Sequence, residues 1–117
     1  MRLAKKFDDL FLKVSTIVEK VAEETGFAAL DLVSRNVLVH ICTAAAAGSA
    51  PRVTEVMDER KLGSRQTIHG RIHDLLQQGW ILAVTDQGDG RAKLLQPSAQ
   101  TVKVIGRISQ SLRGNLR

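Results

Sequence analysis

Between Thr54 and Lys93 the hydrophobic period switches from that of a helix to that of a strand, which restricts the fold more than any other feature. Thr54 is placed to cap a short helix with Glu55 and Asp58 in its first turn, Val56 and Met57 as core contacts and Leu62 filling the turn. Gly63-Ser64 ends that helix and caps the next. In the second helix Ile68, Ile72 and Leu75 fall within about 60° of one another, and Leu76 widens their face. Gln66, His69, Gly70 and His73 point away from it. Trp80 to Thr85 and Arg91 to Leu95 read as strands, joined by Asp86-Gln87-Gly88-Asp89-Gly90. Helix, tight turn, helix and hairpin predict a winged helix-turn-helix, mainly α with a small β-hairpin wing.

The flanks read as helices. Leu3, Phe7, Leu10, Val14, Ile17 and Val21 recur at spacings of four and three, an a/d seam widened by Phe11 and Val18. Gly26 is the expected stop. Such a seam is long for a small domain to cover. It predicts a dimerisation helix over 1–26, against the alternative of a helix packed wholly on its own domain. Asp31 should cap a further helix through Ser34 or Val33, with Leu32, Val37, Leu38, Ile41 and Cys42 on its buried face. That helix should run through the alanines to Gly48. Arg52-Val53 has room for a single bridge to the hairpin. Pro97 suits the first turn of a last helix over 97–117, whose apolar stripe is Val102, Ile105, Ile108, Ser109 and Leu112. The whole of 1–117 is thus expected to be one domain, with its winged core at 30–96 and dimerisation helices at either end. Leu3, Phe7, Leu10, Val14, Ile17, Ile105, Ile108 and Leu112 would form the interface.

Composition narrows the function. The formal net charge is +5, and residues 97–117 carry four basic groups and no acid. That suits a polyanionic partner without requiring one. Residues 51–96 carry seven basic against six acidic groups, so a winged helix serving protein–protein association in a replication or transcription assembly is the competing reading. Aromatic content of 3% argues against a base-stacking platform. One cysteine excludes an internal disulfide, and Cys42 has no nearby basic group to make it a redox sensor, so it is expected in the core. The N-terminus matches neither a secretory signal nor a membrane span, and the expected location is cytoplasmic. Asp31, Ser34 and His40 lie close in sequence, but no nucleophile elbow, phosphate loop or metal-ligand cluster accompanies them. No enzyme and no cofactor is expected.

The residues that would carry DNA recognition follow from chemistry. Ser64 and Thr67 can reach phosphate through hydroxyl and amide, and Arg65 through its charge. Gln66 can bond adenine bidentately, with His69 and His73 as further base-edge contacts. His69 and His73 could instead be a solvated face, or hold a metal as a helical pair, although no third ligand is evident. Gly70 costs the helix roughly 1 kcal/mol relative to Ala and leaves room for close approach to a groove. Arg91, at the base of the wing tip, suits a narrow minor groove or a phosphate, and Lys93 follows on the same strand face. A bland alternative pairs Arg91 with Asp86 or Asp89. Arg71 and Arg65 could likewise pair with Asp74 or Glu59.

Residues 30–97 resemble the winged helix-turn-helix of MarR-type transcriptional regulators. The points of similarity are Ser64-Arg65-Gln66-Thr67-Ile68, Leu75 with Gly79-Trp80-Ile81, Asp86/Asp89-Gly90-Arg91, and Leu95-Gln96-Pro97. The resemblance implies a two-fold homodimer built by the terminal helices, double-stranded DNA as partner, and a wing arginine, supported by the wing aspartate, in the minor groove. Gln96 stands where the family has threonine, and the chain is shorter than most such regulators. Both bear on effector sensing, for which no residue here gives an indication, more than on DNA binding.

Overall fold

A computed structural model describes residues 7–116. They divide into two compact units, one spanning Leu30–Lys103 and the other holding the described residues up to Ala29 and from Val104 onward. The element order is α1 (Leu10–Thr25), α2 (Leu32–Ala46), α3 (Val53–Met57), α4 (Arg65–Gln77), β1 (Ile81–Asp86), β2 (Asp89–Pro97) and α5 (Ala99–Asn115).

Within Leu30–Lys103, α2, α3 and α4 surround one core closed by the hairpin. Val37, Leu38, Ile41, Val56, Ile68, Ile72, Leu75, Ile81 and Leu95 are all buried, as is Trp80. Each such aliphatic side chain contributes about 1.5–3 kcal/mol on leaving water. Asp31 caps α2 by accepting the Ser34 amide at 2.8 Å. Leu32 departs from expectation: it is exposed, while Ser34 in the same first turn takes the buried position. Cys42 is half-buried at the edge of the core, as is His40.

The start of α3 lies earlier than Thr54. Arg52 is the cap residue, and its amide donates to Glu55 Oε1 at 2.8 Å. Arg52 also makes the expected bridge to the hairpin, opposite Leu94, while the Leu95 amide donates to Pro51 O at 2.8 Å. The hairpin pairs Ile81 with Pro97 through Thr85 with Lys93 and is irregular near its tip. Gly79, at φ 80, turns α4 into β1, a conformation L side chains rarely adopt.

Pro97 ends β2 rather than opening the last helix. Its missing amide costs nothing at a strand end, and Ser98 caps α5 by accepting the Thr101 amide. Thr101 Oγ1 and the Ser98 amide both donate to the carbonyl of Trp80, which fastens α5 to the base of the wing. At the start of α5 the buried position is accordingly Thr101, and Val102 is exposed; in the other unit Val104 is buried, Ile105 is exposed, and Ile108, Ser109 and Leu112 are half-buried. Val102 lies about 160° around the helix from Val104.

In the other unit α1 begins at Leu10, after the start of the seam. Asp8 Oδ1 accepts the Leu10 amide at 3.0 Å, a local bond that favours a helix start there. Phe7 therefore precedes the helix, and Leu3 falls outside the described residues. Gly26, at φ 84, is the stop. Glu24 and Arg107 form an ion pair, and Val21 and Ala22 are buried. Among the described residues no helix is long and apolar enough to cross a membrane.

Candidate nucleic-acid interface

α4 is built to show one polar face. Ser64 Oγ accepts the Thr67 amide at 3.1 Å and donates to Thr67 Oγ1 at 2.9 Å, so the cap engages both hydroxyls. Ile68, Ile72 and Leu75 anchor the helix from below. Gln66, His69 and His73 are exposed on the other side, within an arc of about 100° that also holds Gly70. A Cβ built on Gly70 meets nothing within 4 Å. Packing therefore gives no reason for glycine in the middle of this helix.

The arginines of α4 pair differently from the sequence expectation. Arg65 pairs with Asp58, at the end of α3, rather than with Glu59. Arg71 Nε lies 2.9 Å from Asp31 Oδ2, not beside Asp74, in an ion pair whose alignment falls short of a hydrogen bond. Bonds from the amide and hydroxyl of Ser34 hold the Asp31 carboxyl below its ordinary range against an opposing effect of burial, and the Arg71 charge adds a lesser contribution in the same direction as the bonds. Both partners lie outside α4, where chain folding alone brings them into reach.

On the wing, Arg91 and Lys93 are both exposed. Lys93 Nζ donates across the hairpin to Thr85 Oγ1 at 2.9 Å. Neither aspartate of the tip takes the Arg91 guanidinium. Asp89 Oδ1 accepts the Arg91 backbone amide at 3.1 Å, which fixes the main chain at that residue. Asp86 Oδ1 accepts the Gly88 amide, and its Oδ2 lies 2.9 Å from Arg52 Nη2. Along the sequence Arg52 offers only a bridge to the hairpin, and its ion pair with Asp86 comes from the fold. Its place between Pro51 and the first helix of the helix-turn-helix was the available signal. Among the described residues no group of three or more His, Cys, Asp or Glu side chains is placed to hold a metal ion.

Solved structures share this fold. A transcriptional regulator from Thermotoga maritima, Tm0710, superimposes with a TM-score of 0.68 at 17% identity, covering 92% of this chain and 70% of its own. The chain has the fold of a winged helix-turn-helix regulator. An S. aureus MepR mutant bound to an oligodeoxyribonucleotide matches with a TM-score of 0.60 at 15% identity, over 96% of this chain and 86% of its own. The heme sensor protein PefR from Streptococcus agalactiae, in complex with heme, matches with a TM-score of 0.59 at 14% identity, over 90% of this chain and 69% of its own. The likeness is one of fold, and it is the fold that the MarR-type resemblance implies. No protein-family model and no curated protein matches the sequence.

Proposed function

We propose that this chain is a homodimeric, sequence-specific DNA-binding protein, a MarR-like transcriptional regulator. The observation that carries the reading is the polar face of α4, exposed opposite a buried apolar face and followed by a hairpin with a projecting arginine. Gln66, His69 and His73 read base edges in the major groove, with Gly70 at closest approach. Ser64, Arg65, Thr67 and Lys93 contact phosphates, and Arg91 enters the minor groove. The fold shared with a DNA-bound MepR mutant supports this assignment.

Dimerisation is supported by apolar exposure in the unit that holds α1. Phe7 is 65% exposed and Leu10 52%, with Phe11 at 75% and Leu12 at 50% beside them. Large apolar side chains clustered in water mark a surface for association. Val14, Ile17, Ile108 and Leu112 are half-buried and Ile105 is exposed, so all could lose further area to a second copy. In this reading residues 30–96 recognise DNA and the helices within 1–26 and 97–117 pair the subunits.

Binding-site selection from random duplex, with solution mass measured alongside, tests the proposal. The expected result is a dimer and a palindromic site with half-sites about 34 Å apart. Selection without palindromic preference, or heparin and duplex retention indifferent to salt, would favour a protein partner and overturn it.

A further inference from the structure

Resting on the DNA-binding reading, we propose that the cleft between the start of α3 and the wing is a phosphate site, with Arg52 as a further DNA-contacting residue held in place by Asp86. The cleft encloses about 470 Å³ and is lined by Arg52, Thr54, Asp89, Arg91 and Lys93 along with two small apolar residues. Three cations line it with one carboxylate, Asp89, which accepts the Arg91 amide, and a second carboxylate, Asp86, pairs with Arg52 from beside the cleft, so the cations outnumber the acids.

Position 52 separates its structural duty from its chemical one. The backbone of Arg52 caps α3 through Glu55 and bridges to Leu94, and neither interaction uses the side chain. The guanidinium gives one nitrogen to Asp86 and keeps its other donors, with nearly half of the side chain exposed. Asp86 also grips the hairpin turn through Gly88, so a single carboxylate sets the position of Arg52 relative to the ribbon that carries Arg91. In a helix-turn-helix the first helix crosses the DNA backbone while the wing lies beside it. A cation between the two meets a backbone phosphate, and its planar fork suits two phosphate oxygens.

The test compares Arg52→Ala and Arg91→Ala on the selected duplex and on scrambled duplexes across a salt series. Arg52→Ala is expected to weaken binding roughly tenfold on every sequence and to reduce the salt slope by about 0.9. Its melting midpoint should match the parent, since the backbone contacts stay. Arg52→Lys, which keeps the charge and loses the fork, should keep the slope and lose part of the affinity, and it serves if alanine perturbs the fold. If Arg91→Ala weakens binding while both Arg52 variants match the parent, the cleft assignment falls and the DNA reading stands. If the parent binds no duplex, both fall. Nitrogen-15 NMR of the Arg52 Nε–H group then separates two phosphate sources. A shift with duplex but not with inorganic phosphate assigns the site to the DNA backbone, and a shift with millimolar inorganic phosphate assigns it to a free phosphate. A resonance unmoved by either overturns the site.

Discussion

Arg71, in the middle of α4, is tied to Asp31, the cap of α2, with Nε and Oδ2 2.9 Å apart. Two elements distant in sequence are thereby held at one point, and the carboxylate serves both the cap and the ion pair. The pair adds a link from α4 to a residue outside the helix-turn-helix, beside the packing of Ile68, Ile72 and Leu75. Asp31→Asn keeps a capping side chain and removes the charge. The Asp31 carboxyl is held below its ordinary 3.8 in the folded chain. Its contribution to stability is therefore complete above that value and disappears as pH falls through the lowered one. Urea midpoints followed from about pH 6 to about pH 2 should show a shallower acid decline in Asp31→Asn than in the parent. Parallel curves would remove Asp31 from the account.

Gly70 separates folding from recognition. With open space around its Cβ position, Gly70→Ala should stabilise the protein by roughly 0.5–1 kcal/mol through helix propensity. The added methyl would stand at closest approach to the groove, so duplex affinity should drop while the urea midpoint rises. Equal or improved affinity would show that this position does not approach DNA.

Cys42 should be a slow thiol. Burial raises its pKa from 9.0 to about 11. At pH 8 the thiolate fraction is then roughly a hundredfold below that of an unfolded chain, and iodoacetamide should react in the same proportion. Labelling at the unfolded-chain rate would contradict the packing described for α2.

Thr101 tests the anchor of α5. Thr101→Val deletes the hydroxyl bonded to the Trp80 carbonyl and leaves the Ser98 amide still donating to it. The expected loss is about 1 kcal/mol in a denaturant titration, because the carbonyl keeps one partner. An unchanged midpoint would mean that the Thr101 hydroxyl is not needed to hold the start of α5.

Much of the architecture was legible because the causes are local. Ser64 and Asp31 cap the helices expected of them, since each side chain needs only an amide three residues on. Ile68, Ile72 and Leu75 face inward because their spacing matches the helical repeat. Where the structure differs, a local preference meets a competing contact. Pro97 was compatible with a helix start, but strand pairing with Ile81 claimed it first. In α5 the apolar stripe suggested Val102 and Ile105, whereas the polar Thr101 took the buried position by satisfying its hydroxyl on Trp80.

The sequence by itself determined the helix and hairpin order, the caps at Asp31 and Ser64, and the side of α4 that carries Gln66, His69 and His73, because those follow from backbone bonding and periodicity within one turn or strand. Only the tertiary structure decided the charge partners: Arg71 with Asp31, Arg65 with Asp58, Arg52 with Asp86. A long flexible cation reaches many carboxylates in an unfolded chain, and nothing in its neighbours along the sequence selects among them. The selection comes from packing, which leaves one carboxylate within reach of each guanidinium and leaves Arg91 projecting from the wing.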